Sequence, residues 1–133
     1  MYVIDSSGWV EYLTDGPLAD QYVRYLADLS KLVTPTTVLF ETYRILMRRW
    51  SQDVAYLAVA EMEYTRVVSL DSAMVIAAAD FSLEHGLATA DAFVYAAARL
   101  NGCGLVTSDA DFRGLPGVTL IEAGAGVNPA QEA

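Results

Sequence analysis

The sequence predicts an α/β fold, a three-layer α/β/α sandwich whose central parallel sheet has four to five strands. Three observations lead there. Short β-prone apolar runs recur at residues 2–4, 32–34, 66–70, 104–107 and 118–121. Stretches with helical periodicity separate these runs, and strands that alternate with helices imply a parallel sheet covered on both faces. The chain has 133 residues, 54% of them apolar and 19% charged, which is a globular composition with enough length for a single core. We expect one domain over residues 1–122 and a small, polar, frayed tail over 123–133.

In chain order, the first strand stops at Asp5. Residues 6–13 (SSGWVEYL) follow as a short helix with Trp9, Val10 and Leu13 on one face. Asp15, Gly16 and Pro17 make a turn, with Pro17 suited to a first helical position. Residues 18–31 then read as one amphipathic helix, with Leu18, Tyr22, Tyr25, Leu26 and Leu29 together. Pro35 stops the second strand, and Thr36 or Thr37 is the expected cap of a helix reaching Trp50. On its wheel Leu39, Tyr43, Leu46 and Trp50 share one side, while Glu41, Arg44 and Arg48 form a polar stripe. Ser51 caps the next helix, which runs to about Tyr64. After the third strand, Asp71 or Ser72 starts a helix that stops at His85 and Gly86. Thr89 is the expected cap of the helix carrying Asp91, which ends at Asn101 and Gly102. Residues 114–117 (GLPG) turn the chain into the last strand.

Ligands of open α/β sheets bind beyond the carboxyl ends of the strands. Asp5 ends the first strand, Asp109 follows the fourth, Asp91 lies in the first turn of its helix, and Glu41 follows the second strand. All four can face one edge. Carboxylates gathered that closely repel one another, so the site needs raised pKa values or a bound cation. An all-oxygen donor set without Cys or His suits Mg²⁺ or Mn²⁺, and such ions serve phosphate chemistry. Each acid also has a plainer reading. Asp5 can cap a helix, Asp91 can stabilise a helix N-terminus, Asp109 and Asp111 can serve a turn, and Glu41 can pair with Arg44 on the surface. Capping alone does not bring four acids to one place.

The net charge of −9 argues against a nucleic-acid partner, because phosphate binding normally rests on Lys and Arg. Arg44, Arg48 and Arg49 are three of only eight basic residues and sit in one helix near Glu41. They form either a solvated face or a strip for phosphate or a partner, and the local field counts for more than the total. The single Cys103 excludes an internal disulfide and fits a reducing cytosol. No run is long and apolar enough to span a bilayer, and the N-terminus lacks signal-peptide character. The remaining aromatic residues read as core or interface, with Tyr12, Tyr22 and Tyr25 as a possible groove for a partner peptide.

Four pieces now stand in order: VIDSSGW near the start, the Glu of TTVLFETYRIL, ADAFVYAAARLNGCGLVTSDADF, and GLPGV. Together they resemble the PIN domain, and the length and motif set are similar to VapC-type toxins of type II toxin–antitoxin pairs. The resemblance covers residues 1–121. It implies a PIN-like sandwich, a Mg²⁺ site built from Asp5, Glu41, Asp91 and Asp109, and endonucleolytic cleavage of RNA. It further implies support from Ser7 and Asp111, a homodimer, and inhibition by a cognate antitoxin. Two other readings compete. A catalytically inactive PIN-like module would hold RNA or protein without cutting. A phosphatase with Asp5 as nucleophile is disfavoured, because Ser7 rather than a second Asp lies two residues on and no suitable Lys follows Lys31.

Overall fold

A computed structural model describes residues 1–123; residues 124–133, most of the expected tail, lie outside the described residues. Five strands form: β1 (Tyr2–Ile4), β2 (Val33–Pro35), β3 (Arg66–Val68), β4 (Gly104–Thr107) and β5 (Val118–Leu120). Six helices lie between them: α1 (Ser6–Leu13), α2 (Ala19–Leu26), α3 (Thr36–Arg49), α4 (Gln52–Met62), α5 (Ser72–His85) and α6 (Thr89–Leu100). Every strand pairing is parallel. The strands divide into a sheet β1-β4-β5 and a sheet β2-β3, joined by a lone parallel bridge between Tyr2 and Leu32.

Burial on both faces explains why these strands read as apolar runs without alternation. Val3, Ile4, Val33, Leu105 and Val106 are all fully buried. Helix α6 is apolar nearly all round, and Ala92, Val94, Tyr95, Ala96, Ala97 and Ala98 are buried in it. Such a helix belongs inside a fold rather than on its surface. Its first turn holds Asp91 half-buried at the edge of that core. No helix among the described residues is long and apolar enough to cross a membrane.

Several local expectations change. The helix expected over residues 18–31 ends at Leu26, and a separate 3₁₀ turn spans Leu29–Lys31. Asp28 breaks it, because its carboxylate accepts the Ser30 N–H at 3.1 Å and so competes with helical bonding. Neither Thr36 nor Thr37 caps α3, and Thr89 does not cap α6. Pro35 and Ala88 hold the cap positions without side-chain bonds, so Thr36 and Thr89 fall one residue too late. Ser51 and Asp71 do cap, accepting from Val54 N–H at 3.2 Å and Met74 N–H at 2.9 Å. Gly86 ends α5 at φ 72°, the left-handed geometry that glycine enters without strain. Tyr22 is fully buried and cannot line a surface groove with Tyr12 and Tyr25.

Candidate metal centre

The pairing of β1 with β4 sets the centre of the site. Ile4 lies opposite Val106, and the Asp5 N–H donates to the Val106 carbonyl at 3.0 Å. Both strands therefore release their next residues at the same edge. Asp5 is buried, and its two oxygens are held differently. Oδ1 accepts the Ser6 N–H at 2.8 Å, and Oδ2 accepts the Thr107 hydroxyl at 2.8 Å. A carboxylate oxygen can accept more than one bond, and Asp5 lines an adjoining cleft. The Thr107 hydroxyl also accepts the Asp109 N–H at 3.0 Å. Ser7 accepts the Ser108 N–H at 3.2 Å, and Ser108 bonds the buried Tyr22 hydroxyl.

Around this network opens a cleft of about 330 Å³, with Asp5, Glu41, Asp91 and Asp109 all in its lining. Carboxylate oxygens of Asp91, Asp109 and Asp111 lie within 4.8 Å of one another. Around Mg²⁺ opposite ligand oxygens stand roughly 4 Å apart, so small side-chain rotations suffice to close the set. Asp111, exposed and outside the cleft lining, thus joins Asp91 and Asp109 in the tight group, while Asp5 and Glu41 line the cleft outside that group. The Asp111 N–H donates to Asp109 Oδ1 at 2.9 Å, which ties the two acids of this turn together.

The electrostatics follow from that crowding. Burial pushes the Glu41 carboxyl up to about 7, and Asp5, Asp91 and Asp109 add to the rise. Asp91 is pushed up to about 6 by burial and then by Asp109, Asp5 and Asp111. Burial also raises Asp5, against the bonds from Thr107 and Ser6, which favour its charged form. A divalent cation among these carboxylates would offset the repulsion and favour their charged forms. The donors are all oxygens, and neither His85 nor Cys103 lines the cleft. The residues present therefore fit Mg²⁺ or Mn²⁺.

Helix α3 faces the cleft with a different row from the expected one. Glu41, Ile45 and Arg49 line it, spaced four residues apart on one face. Arg44 and Arg48 are exposed outside the lining, and among the described residues Glu41 makes no ion pair with Arg44. Trp50 also departs from expectation. It is 50% exposed and lines the cleft instead of packing beside Leu46. Its backbone, at φ −123° and ψ −103°, has already left the helix, so a wheel does not give its direction.

Sequence reasoning missed Thr107, Ser108 and Glu11. Thr107 had a signal: a hydroxyl at the end of a strand otherwise apolar and buried needs a partner, here two acids. Glu11 lines the cleft and accepts the Leu18 N–H at 3.1 Å, a contact made by the turn after α1 and invisible to local patterning.

The PIN domain family model matches residues 2–118. Comparison with curated proteins finds no match. Among solved structures, a chain of a toxin–antitoxin complex from Klebsiella pneumoniae superposes with a TM-score of 0.77 at 17% identity, covering 90% of this chain and 96% of that one. VapC20 of Mycobacterium tuberculosis, a toxin that cleaves the sarcin–ricin loop, gives 0.73 at 21% identity, covering 92% and 100%. A chain of DNA-bound VapBC from Salmonella typhimurium gives 0.70 at 14% identity, covering 90% and 95%. At these identities the likeness establishes the fold. With the family model spanning nearly all described residues, the chain belongs to the PIN domain family.

Proposed function

We propose that the chain is a Mg²⁺-dependent endoribonuclease and the toxin of a toxin–antitoxin pair. The observation that carries this reading is the meeting of Asp91, Asp109 and Asp111 oxygens within 4.8 Å, with Asp91 and Asp109 in the cleft that Asp5 and Glu41 also line. Asp5, Asp91 and Asp109 would hold Mg²⁺, or Mn²⁺ in its place, with Asp111 as an added donor. Glu41 completes the set or positions the attacking water. When bound, the ion supplies Lewis acidity toward a phosphodiester and that water. The chain's own part is orientation. Thr107 and the Ser6 N–H fix the Asp5 carboxylate, Ser7 fixes the backbone entering Asp109, and α6 holds Asp91 half-buried in its first turn.

The assignment to a toxin rests on the family and on structural neighbours that come from toxin–antitoxin complexes. It carries with it a cognate antitoxin that covers the cleft and a cytoplasmic site of action. It also carries a homodimer, for which Ile76 and Leu83, exposed on α5, offer apolar contact. The test is RNA cleavage by wild type and Asp91→Asn across a Mg²⁺ titration. We expect cleavage that rises with Mg²⁺ and disappears in the variant. Cleavage in excess chelator, or full activity of Asp91→Asn, would overturn the mechanism.

A further inference from the structure

We propose that Trp50 is a stacking platform for an unpaired RNA base, and that Arg49 beside it receives an adjacent phosphate. This rests on the ribonuclease reading and names the form of RNA that the same cleft takes. The two tryptophans differ sharply: Trp9 is fully buried, while Trp50 is 50% exposed at the cleft that Asp5, Glu41, Asp91 and Asp109 line. Among the described residues Arg49 is the only basic side chain in that lining. Among the described residues it makes no ion pair. From Glu41 to Arg49 is two helical turns, ~12 Å, so the platform stands a short way along a strand from the acids.

The charge balance decides what kind of contact holds the substrate. A chain of net charge −9, with one cationic side chain in its cleft, cannot draw RNA chiefly by Coulomb attraction. Stacking on an aromatic face does not depend on net charge and accepts any base. It does require a base free of its neighbours, which duplex RNA does not offer and loops or single strands do. An exposed indole beside one unpaired guanidinium therefore selects an unpaired segment. A protein partner would also cover an exposed indole, but nothing in that pairing requires the indole and the acids to line one cleft.

The test is binding, separate from cleavage. A single-stranded oligoribonucleotide is titrated against the full chain in chelator, where no ion activates a water for cleavage, while tryptophan emission is followed. We expect quenching of the exposed indole, and little from a duplex of the same sequence. Binding measured by anisotropy should weaken about 5- to 150-fold in Trp50→Leu, with much of it retained in Trp50→Phe. Circular dichroism and the residual Trp9 emission verify that Trp50→Leu is folded. The salt dependence should be shallow, with a log–log slope of about −0.7 for one neutralised phosphate, and flatter in Arg49→Gln. Unchanged oligonucleotide affinity in Trp50→Leu, or equal quenching by the duplex, overturns the proposal and leaves the indole to a protein partner. Quenching without any cleavage of ordinary RNA would remove the ribonuclease reading but keep this one. Cleavage that ignores Trp50 would do the reverse.

Discussion

The Thr107 hydroxyl donates to Oδ2 of Asp5 at 2.8 Å, although 102 positions separate the two residues. The same hydroxyl takes the Asp109 N–H at 3.0 Å. One small side chain thus fixes an acid after β1 to the backbone of an acid after β4. Thr107→Val removes the donor and leaves the Asp109 N–H without its acceptor. We expect a loss of roughly 1–3 kcal/mol in urea denaturation, and most of it restored in Thr107→Ser. Because the Thr107 bond favours the charged form of Asp5, Mg²⁺ affinity measured by calorimetry should fall as well. An unchanged midpoint and an unchanged affinity in Thr107→Val would contradict this role.

Stability should depend on pH and on metal together. Glu41 rises from 4.5 to about 7 and Asp91 from 3.8 to about 6 in the folded chain. The folded state therefore binds protons more tightly than the unfolded one at both groups. Their contribution is fully present below about pH 4, is lost as the pH rises, and is gone above about pH 7. Mg²⁺ binds the ionised set, so it restores stability where that loss has occurred. Scanning calorimetry should show a small Mg²⁺-induced rise in Tm near pH 5 and the largest rise above about pH 7. Equal rises at both ends of the range would refute the coupling.

Asp91→Asn removes one like charge from a crowded group. Without metal, near pH 8, the variant should be more stable than wild type, by a few tenths to about 1 kcal/mol. In Mg²⁺ the order should invert, since wild type gains from the ion and the variant gains little. RNA cleavage should drop roughly 100-fold or more. A variant less stable than wild type in chelator would show that Asp91 serves the fold rather than the site.

Gly8 is where α1 passes closest to Tyr22. A Cβ there would stand 2.4 Å from Tyr22 Cε1 and 2.7 Å from Ile4 Cγ2. The Tyr22 ring is fully buried and its hydroxyl is bonded to Ser108, so it cannot swing aside cheaply. Gly8→Ala gains up to about 1 kcal/mol of helix propensity. Overpacking at about 1–3 kcal/mol outweighs that gain. We expect a net loss of stability by thermal melting, and an unchanged Tm would show that α1 can shift away from Tyr22.

The strand ends were legible because burial and backbone pattern act locally. Asp5 and Asp109 each stand just past an apolar run, and a parallel sheet sends such residues to one edge. Asp91 was legible for the same reason, at the start of a helix too apolar to lie outside. What failed were the readings that depend on tertiary direction. Of the strip Arg44, Arg48 and Arg49 only Arg49 lines the cleft, because packing of α3 presents the row Glu41, Ile45 and Arg49 there and leaves Arg44 and Arg48 exposed outside it. A wheel put Trp50 on the side of Leu46, but the backbone leaves helical geometry at that residue and the indole lines the cleft. The caps expected at Thr36 and Thr89 failed by one position, since Pro35 and Ala88 already hold the entry. Asp28 ended a helix that hydrophobic spacing alone would have continued.

The lone bridge between Tyr2 and Leu32 joins two sheet pieces whose cargo differs. Asp5 and Asp109 hang from the larger piece, while Glu41 rides on the helix that leaves the smaller one. The seam between them carries far less ladder bonding than either piece does. Glu41 therefore keeps its distance from Asp5 and Asp91 chiefly through the packing of α3 on α1 and α6, and a change at that helix contact would widen the cleft while every acid kept its own anchor.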